Sequence, residues 1–151
     1  MSNTGSFQTT WTPRLLSILR IVAGFLFIAH GTQKLFNYPS SGGGAAPLLS
    51  MIGAAGVIEV AGGLLIIFGL FTRGAAFTLS GLMAVAYFLA HAPGGFLPIV
   101  NKGELAVIYC FVFLYLSVAG GGAWSLDHLL SRRKSGSLTQ GTQAAAAPVS
   151  L

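Results

Sequence analysis

Two ionisable side chains inside long apolar segments, His30 and Glu59, are the residues best placed to do chemistry in this chain. An ionisable group that lies in hydrocarbon costs free energy, so it usually has a polar partner or a function. An imidazole and a carboxylate can each take up and release a proton during a reaction. We therefore predict a catalytic role for His30 and Glu59, in which they handle protons.

Further polar side chains lie close to the ends of the apolar segments. His30, Gln33 and Lys34 stand at positions i, i+3 and i+4, which share one face of a helix. Tyr87 and His91 share a face in the same way. If these faces turn inward, they form a polar pocket that could relay protons or hold the headgroup of a quinone. The predicted ligand-binding residues are Gln33, Lys34, Tyr87, His91, Lys102 and Glu104.

A purely structural role is an alternative for part of this set. Lys34, Lys102 and Glu104 stand near the ends of predicted spans, where charged side chains often reach the surface and anchor a helix. His91, beside Pro93, also fits a position at the membrane interface. The two groups deeper in the apolar segments cannot reach water so easily, and the functional prediction therefore depends on them.

A metal site is the less favoured alternative for the same region. Imidazole and carboxylate groups are acceptable ligands for zinc, iron or manganese. Neither an H-E-x-x-H nor an E-x-x-H pattern occurs, so no pair of candidates has a diagnostic spacing. We therefore predict no metal. The lone Cys110 cannot form a disulfide within the chain.

The elements that must position these residues follow from the composition. Charged residues make up 7% of the 151 residues, and the mean hydropathy is +0.77. A soluble domain usually has about a quarter of its residues charged, and a helix that crosses a bilayer needs about 20 apolar residues. We predict an all-α, integral membrane four-helix transmembrane bundle over residues 14–130, in contact with the lipid bilayer. Its spans are at about 15–36, 47–71, 74–91 and 104–119.

The other segments are predicted to lie outside the bilayer. Residues 1–13 form a flexible tail, 125–130 a short interfacial helix and 131–151 a disordered tail. Positive charges near span ends mark the cytoplasmic side, and most of them fall on one side: Arg14, Arg20, Arg73, Arg132, Arg133 and Lys134. Both termini are therefore predicted to be cytoplasmic. These basic residues lack interleaved aromatic residues, so we predict no nucleic-acid partner.

Several short motifs, taken in order, resemble those of the DoxX family of bacterial membrane proteins. The motifs are Arg20 leading to HGTQKLF (30–36), Glu59 followed by GGL (62–64), GLFTR (69–73), NKGELA (101–106) and GAWSLD (122–127). Their combination is more specific than any single motif. The resemblance implies a four-helix fold and a multi-pass location in the bacterial inner (plasma) membrane.

The resemblance implies only a loose function. Family relatives include the membrane subunit of an archaeal thiosulfate:quinone oxidoreductase, and others are linked to redox or oxidative-stress partners. Carried over by motif position, the implied pocket residues are His30, Gln33, Lys34, Glu59 and Glu104.

Three functional hypotheses follow. We favour a membrane subunit of a redox system, linked to quinone, with a polar pocket that opens outward. The first alternative is a non-catalytic scaffold or assembly partner, in which small residues such as Ala55 and Gly63, each four positions from Glu59, dock helices of a larger complex. The second is a transporter of protons or a small solute, although the sequence shows no inverted repeat. Partner subunits or a homo-oligomer are expected in either of the first two cases.

Overall fold

Helices dominate the computed structural model, which describes residues 3–40 and 42–133. No strand occurs in this part of the chain. A π-helical turn, Tyr87–His91, and a short 3₁₀ turn, Ala92–Gly94, separate the third helix from the fourth. The helices are α1 (Asn3–Phe36), α2 (Met51–Phe68), α3 (Thr72–Ala86), α4 (Pro98–Asn101), α5 (Glu104–Ala119) and α6 (126–133).

Four of these helices form an antiparallel bundle. α1 packs along α2, α3 packs along α5, and α2 also contacts α3. Phe27 of α1 and Phe113 of α5 meet edge to face, with their ring centroids 4.9 Å apart, and join the two pairs at the centre of the bundle. The side chains of Ile66, Leu79 and Leu116 complete this buried core. The helices α1, α2, α3 and α5 therefore carry the fold.

Three stretches are long and apolar enough to cross a membrane: Phe7–Phe36, Met51–Phe68 and Thr72–Gly94. The fourth, α5, is an apolar helix of 16 residues, or about 24 Å at 1.5 Å per residue. Large apolar side chains, such as those of Phe25, Phe77 and Phe111, point away from the bundle. A hydrophobic outer surface suits lipid and not water, so the predicted all-α membrane bundle is confirmed.

Glycines bring α1 and α2 into close contact. A Cβ atom at Gly24 would lie 3.0 Å from the carbonyl oxygen of Gly63, and one at Gly31 would lie 2.9 Å from that of Gly56. Small residues at such positions let helix backbones approach closely in lipid. The glycines at these contacts therefore serve packing within the chain.

The two ends of the bundle carry different side chains. The Lys34 end contains the carboxyl end of α1, the amino end of α2, the π-helical turn, α4 and the start of α5. The Arg73 end contains the α2–α3 turn, the residues after α5 and α6. The two names are used below for these ends.

The helix limits differ from the predicted ones at the amino terminus. Residues 3–13, expected within a flexible tail, belong to α1. Phe7 and Trp11 are one helical turn apart in the sequence, and their ring centroids are 6.0 Å apart. The Arg14 guanidinium carbon lies 5.5 Å from the centroid of the Trp11 ring. These contacts favour a continuous helix. The predicted flexibility of residues 1 and 2 lies outside the described residues.

Capping residues explain the other limits. The second predicted span began at 47, but α2 begins at Met51 because the Ser50 hydroxyl accepts a hydrogen bond from the Gly53 amide at 3.0 Å. It ends at Phe68, followed by Gly69 in the left-handed conformation.

The helix after α5 also differs from the prediction. In place of the predicted interfacial helix at 125–130, residues 126–133 are helical, and the Ser125 hydroxyl accepts from the His128 amide at 3.1 Å. Residues 131–133, expected to be disordered, are thus helical, and 134–151 lie outside the described residues.

Candidate functional site

Glu59 lies at the middle of α2, on the face that packs against α1. Its side chain is 1% exposed. A Cβ atom at Gly31 would lie 3.0 Å from the Glu59 Cβ, so the α1 backbone passes directly over the glutamate. The close helix contact made possible by glycine therefore buries the Glu59 side chain on its α1 side.

Lys34 supplies a cation to this buried carboxylate. Its Nζ donates a hydrogen bond to Oε1 of Glu59 and forms an ion pair with it. The Lys34 side chain is 32% exposed, so it connects the buried carboxylate with the surface at the Lys34 end. The structure thus brings together two of the predicted site residues.

The second carboxylate oxygen of Glu59 lacks a donor. Oε2 is buried, and no described residue hydrogen-bonds to it. A buried polar atom without a partner is costly, and native proteins usually satisfy it with water or a ligand. The Glu59 site is therefore incomplete with respect to hydrogen bonding among the described residues.

His30 lies one helical turn before Lys34 but faces a different helix. Its half-buried ring meets the ring of Tyr109 on α5 edge to face, with centroids 6.0 Å apart. Among the described residues His30 makes no hydrogen bond, so none joins it to Glu59. The imidazole therefore stands beside the ion pair along α1 without being bonded to it.

Gln33 is turned toward the loop that follows α1. Its Nε2 donates to the Pro39 carbonyl at 3.2 Å, and the Lys34 carbonyl accepts from the Ala46 amide at 2.8 Å. These two bonds fold the 37–46 segment back onto the end of α1. Gln33 thus positions the loop and does not touch the Lys34–Glu59 pair through a hydrogen bond.

Tyr87 and His91 form a separate polar cluster around Asn101. The Tyr87 hydroxyl donates to the Phe96 carbonyl and accepts from Asn101 Nδ2 at 3.4 Å. His91 Nδ1 lies 3.2 Å from the Asn101 carbonyl, and the two rings are stacked with centroids 6.4 Å apart. Asn101 Nδ2 also donates to the Gly95 carbonyl at 2.6 Å. This cluster holds the irregular backbone between α3 and α5, where a π-helical turn often marks a functional position.

Lys102 and Glu104 are exposed at the start of α5. Lys102 ends α4 with a positive φ of 60°, and Glu104 lies in the first turn of α5. Neither makes an ion pair or side-chain hydrogen bond within the part of the chain that the structure describes. The structure therefore places the predicted pocket residues in separate surroundings: the ion pair, the Tyr87 cluster, two exposed charges, His30 against α5 and Gln33 on the loop after α1.

Arg20, predicted only as a topology-marking charge and as part of a family motif, is buried. Its side chain is 0% exposed, and its guanidinium donates to four backbone carbonyls, those of Ile66, Ile67, Gly121 and Trp124. The bonds to Gly121 and Trp124 measure 2.8 and 2.9 Å. Arg20 thus bonds the carbonyls at the end of α2, of which that of Ile66 also accepts from the Gly69 amide at 3.1 Å. Its place inside an apolar run was the available signal, by the same rule that singled out Glu59.

Cavities formed by the described residues also lie elsewhere on the molecule. One of about 860 Å³ is at the Arg73 end, and one of about 370 Å³ is an apolar groove between α2 and α3. Neither is lined by Glu59 or His30. No three His, Cys, Asp or Glu side chains within residues 3–40 and 42–133 are grouped so as to hold a metal ion.

Comparison with known proteins gives consistent matches. The DoxX family profile matches residues 15–92, just over half of the chain. An uncharacterised protein of Haemophilus influenzae is 49% identical over 123 residues, which is 78% of this chain and 92% of the relative. An uncharacterised membrane protein of Mycobacterium tuberculosis is 33% identical over 160 residues, 88% of this chain and 96% of the relative.

A third relative adds the location. The inner membrane protein YqjF of Escherichia coli is 30% identical over 131 residues, 77% of this chain and 92% of the relative. No solved structure matches the chain. The family match, these relatives and the apolar helices together show that the chain belongs to the DoxX family and is a multi-pass protein of the bacterial inner membrane.

Proposed function

We propose that this protein is a membrane subunit of a redox system and that its Lys34–Glu59 site binds the polar headgroup of a quinone or quinol. The observation that carries the proposal is Oε2 of Glu59, a buried acceptor without a donor among the described residues. A buried carboxylate oxygen of this kind gains free energy when a ligand hydroxyl donates a hydrogen bond to it.

The donor and acceptor types at this site fit a quinone headgroup. Oε2 of Glu59 can accept from a quinol hydroxyl, and the Lys34 ammonium can donate to a quinone carbonyl, since it has three N–H groups and one bonds to Glu59. A bound quinone would supply the oxidation–reduction chemistry. The chain itself binds and orients the headgroup, and Oε2 of Glu59 accepts the proton that a quinol hydroxyl releases.

The surroundings of the pair support a path for protons. Lys34 reaches from the buried carboxylate to the surface. His30 lies one turn away on α1, is half-buried and has no hydrogen bond to a described residue. A neutral imidazole can accept a proton at one ring nitrogen and release one from the other. In this proposal His30 passes protons between the Glu59 site and the exterior.

The proposed orientation follows from the arginines at the opposite end. Arg14, Arg73, Arg132 and Arg133 are all exposed there, and positive charges near span ends favour the cytoplasmic side. Both termini are then cytoplasmic, and the Lys34 end faces outward. The lone Cys110 offers no dithiol pair for electron transfer, so a partner subunit would supply or accept the electrons.

Quinone binding by the purified protein tests the proposal. Short-chain ubiquinone and menaquinone analogues are titrated into the protein in detergent micelles, and the dissociation constant is measured by calorimetry for the wild type, Glu59→Gln and Glu104→Gln. Glu104 is the matched control, because it is an exposed glutamate at the same end. Loss of one charge-assisted hydrogen bond predicts about tenfold weaker binding for Glu59→Gln and no change for Glu104→Gln.

Two other outcomes would favour the alternatives. Absence of quinone binding to the wild type, together with loss of a co-purifying protein in Glu59→Gln, would favour a scaffold. Proton or solute uptake by vesicles that contain only this protein would favour a transporter. Equal affinity of the wild type and Glu59→Gln for quinone would refute the assigned site.

A further inference from the structure

The cavity of about 860 Å³ at the Arg73 end is distant from the proposed quinone site. Its walls come from α1, the start of α3, the glycine loop after α5 and α6, and include Leu16, Phe71, Arg73 and His128. Leu16 and Lys34 are separated by 18 positions along α1, or about 27 Å at 1.5 Å per residue. The proton and quinone chemistry proposed above therefore leaves this cavity without a role.

An unpaired cation lines the cavity. Arg73 is exposed and makes no hydrogen bond or ion pair with a described residue. A Cβ atom at Gly120 would lie 3.6 Å from Arg73 Nε, so the guanidinium lies against the glycine loop. The His128 side chain lines the same cavity. A guanidinium can donate two parallel hydrogen bonds to a phosphate, and an imidazole can add a third.

The one acidic residue at this end, Asp127, also lines the cavity, but its carboxylate is already occupied by hydrogen bonds. The two carboxylate oxygens of Asp127 accept from the amides of Phe71 and Thr72, both at 2.8 Å. Its charge thus serves the amino end of α3. The other two acidic residues of the chain, Glu59 and Glu104, are at the middle of α2 and at the Lys34 end. The arginines at or near the Arg73 end are Arg14, Arg20, Arg73, Arg132 and Arg133, so the local charge is strongly positive.

Apolar groups at the cavity show where it opens. Leu16 and Phe71 line it, and Phe71 is exposed. Trp124 and the α6 leucines Leu129 and Leu130 beside it are also exposed. Exposed tryptophan and an amphipathic helix are typical of the boundary between hydrocarbon and lipid headgroups. The cavity therefore combines a cation, Arg73, with apolar side chains, as expected for a site beside lipid headgroups.

We propose that this cavity binds an anionic phospholipid of the leaflet at the Arg73 end. Arg73 and His128 bind the phosphate, and the glycerol and upper acyl chains lie along Leu16 and Phe71. A free phosphate ion would satisfy the guanidinium and the imidazole but not the apolar walls, and a zwitterionic lipid would bring its own cation against Arg73. An anionic phospholipid satisfies both parts of the surface.

The test compares lipids that share acyl chains but differ in headgroup. Full-length protein in neutral detergent is titrated with dioleoylphosphatidylglycerol, with dioleoylphosphatidylcholine or with inorganic phosphate. The rise in melting temperature and the lipid retained in native mass spectrometry are measured. The variants are Arg73→Gln and His128→Gln, and Arg14→Gln is the control, since Arg14 is exposed nearby but does not line the cavity.

We expect the anionic lipid alone to stabilise the wild type and to be retained. Arg73→Gln should need an anionic-lipid concentration about tenfold higher for the same rise in melting temperature, as expected for loss of a bidentate phosphate contact. Arg14→Gln should need a concentration less than about twofold higher. His128→Gln should weaken binding by an intermediate factor, and it decides the result if Arg73→Gln does not fold. Equal stabilisation by phosphatidylcholine or by inorganic phosphate, or equal behaviour of the cavity variants and Arg14→Gln, would overturn the proposal. Unchanged quinone binding in Arg73→Gln would separate this site from the one at Glu59.

Discussion

Lys34 and Glu59 form an ion pair across the α1–α2 contact in which the two partners are unequally buried. The carboxylate is enclosed by the helix backbones, whereas part of the lysine side chain reaches the surface. Removing one partner therefore leaves a different group behind in each case. Because of this asymmetry, the two variants should differ in their free energy of unfolding, which can be measured independently of quinone binding.

The Lys34→Gln variant should be less stable than Glu59→Gln. Lys34→Gln leaves a buried carboxylate without a cation, which should lower the free energy of unfolding by about 3 kcal/mol. Glu59→Gln leaves a lysine that can reach water, and should cost about 1 kcal/mol. Denaturant titration followed by circular dichroism in mixed micelles measures both. Lys102→Gln is the control, with a change below about 0.5 kcal/mol. A larger loss in Glu59→Gln than in Lys34→Gln would contradict the prediction.

Arg20 should be among the most sensitive positions of the bundle. Arg20→Gln removes most of the charged donors that satisfy four carbonyls, and should lower the free energy of unfolding by about 3 to 5 kcal/mol. Arg20→Lys keeps the positive charge but has fewer hydrogen-bond donors, so its free energy of unfolding should lie between those of Arg20→Gln and the wild type. The exposed Arg132→Gln is the control. Similar stability of Arg20→Gln and Arg132→Gln would show that the buried bonds do not matter.

The glycine contact over Glu59 predicts a contrast between two alanine substitutions. Gly31→Ala places a methyl group 2.9 Å from the Gly56 carbonyl oxygen and 3.0 Å from the Glu59 Cβ. It should force α1 and α2 apart and cost about 1 to 3 kcal/mol. Gly81→Ala meets nothing within 4 Å and should leave stability unchanged or raise it by up to about 1 kcal/mol. Thermal unfolding in micelles distinguishes them, and equal effects would speak against close packing.

Asp127 should stabilise the amino end of α3. Asp127→Ala leaves the Phe71 and Thr72 amides without their acceptor, and should cost about 1 to 2 kcal/mol. Hydrogen exchange of these two amides should become faster than in the wild type. Glu104→Ala, which removes an exposed carboxylate from the first turn of α5, should not change their exchange. Unchanged protection of the two amides in Asp127→Ala would show that the carboxylate does not cap α3.

The fold class and the membrane location could be predicted because hydrocarbon thickness imposes a minimum length on each apolar run. The predicted limits of the fourth span, 104–119, coincide with those of α5, since Gly103 and Gly120 flank it. The start of α1 could not be predicted from polarity. Local contacts among Phe7, Trp11 and Arg14 extend that helix into a polar segment.

The candidate site was predictable only in part. Helical periodicity and apolar context placed Lys34 and Glu59 in one region, and the structure pairs them. The acceptors of Arg20 are backbone carbonyls brought together only by the tertiary fold, so no sequence pattern reveals them. Tyr87 and His91 join Asn101 because the irregular segment after α3 folds over them. The catalytic and ligand-binding roles of the predicted residues stay predictions.

An experimental density map of the protein purified with a short-chain quinone tests the central proposal most directly. We predict density for the headgroup between α1 and α2, within hydrogen-bond distance of Oε2 of Glu59, and its loss in Glu59→Gln but not in Glu104→Gln. A closed, dry contact between the two helices around Glu59, with quinone density absent or only elsewhere on the protein, would contradict it.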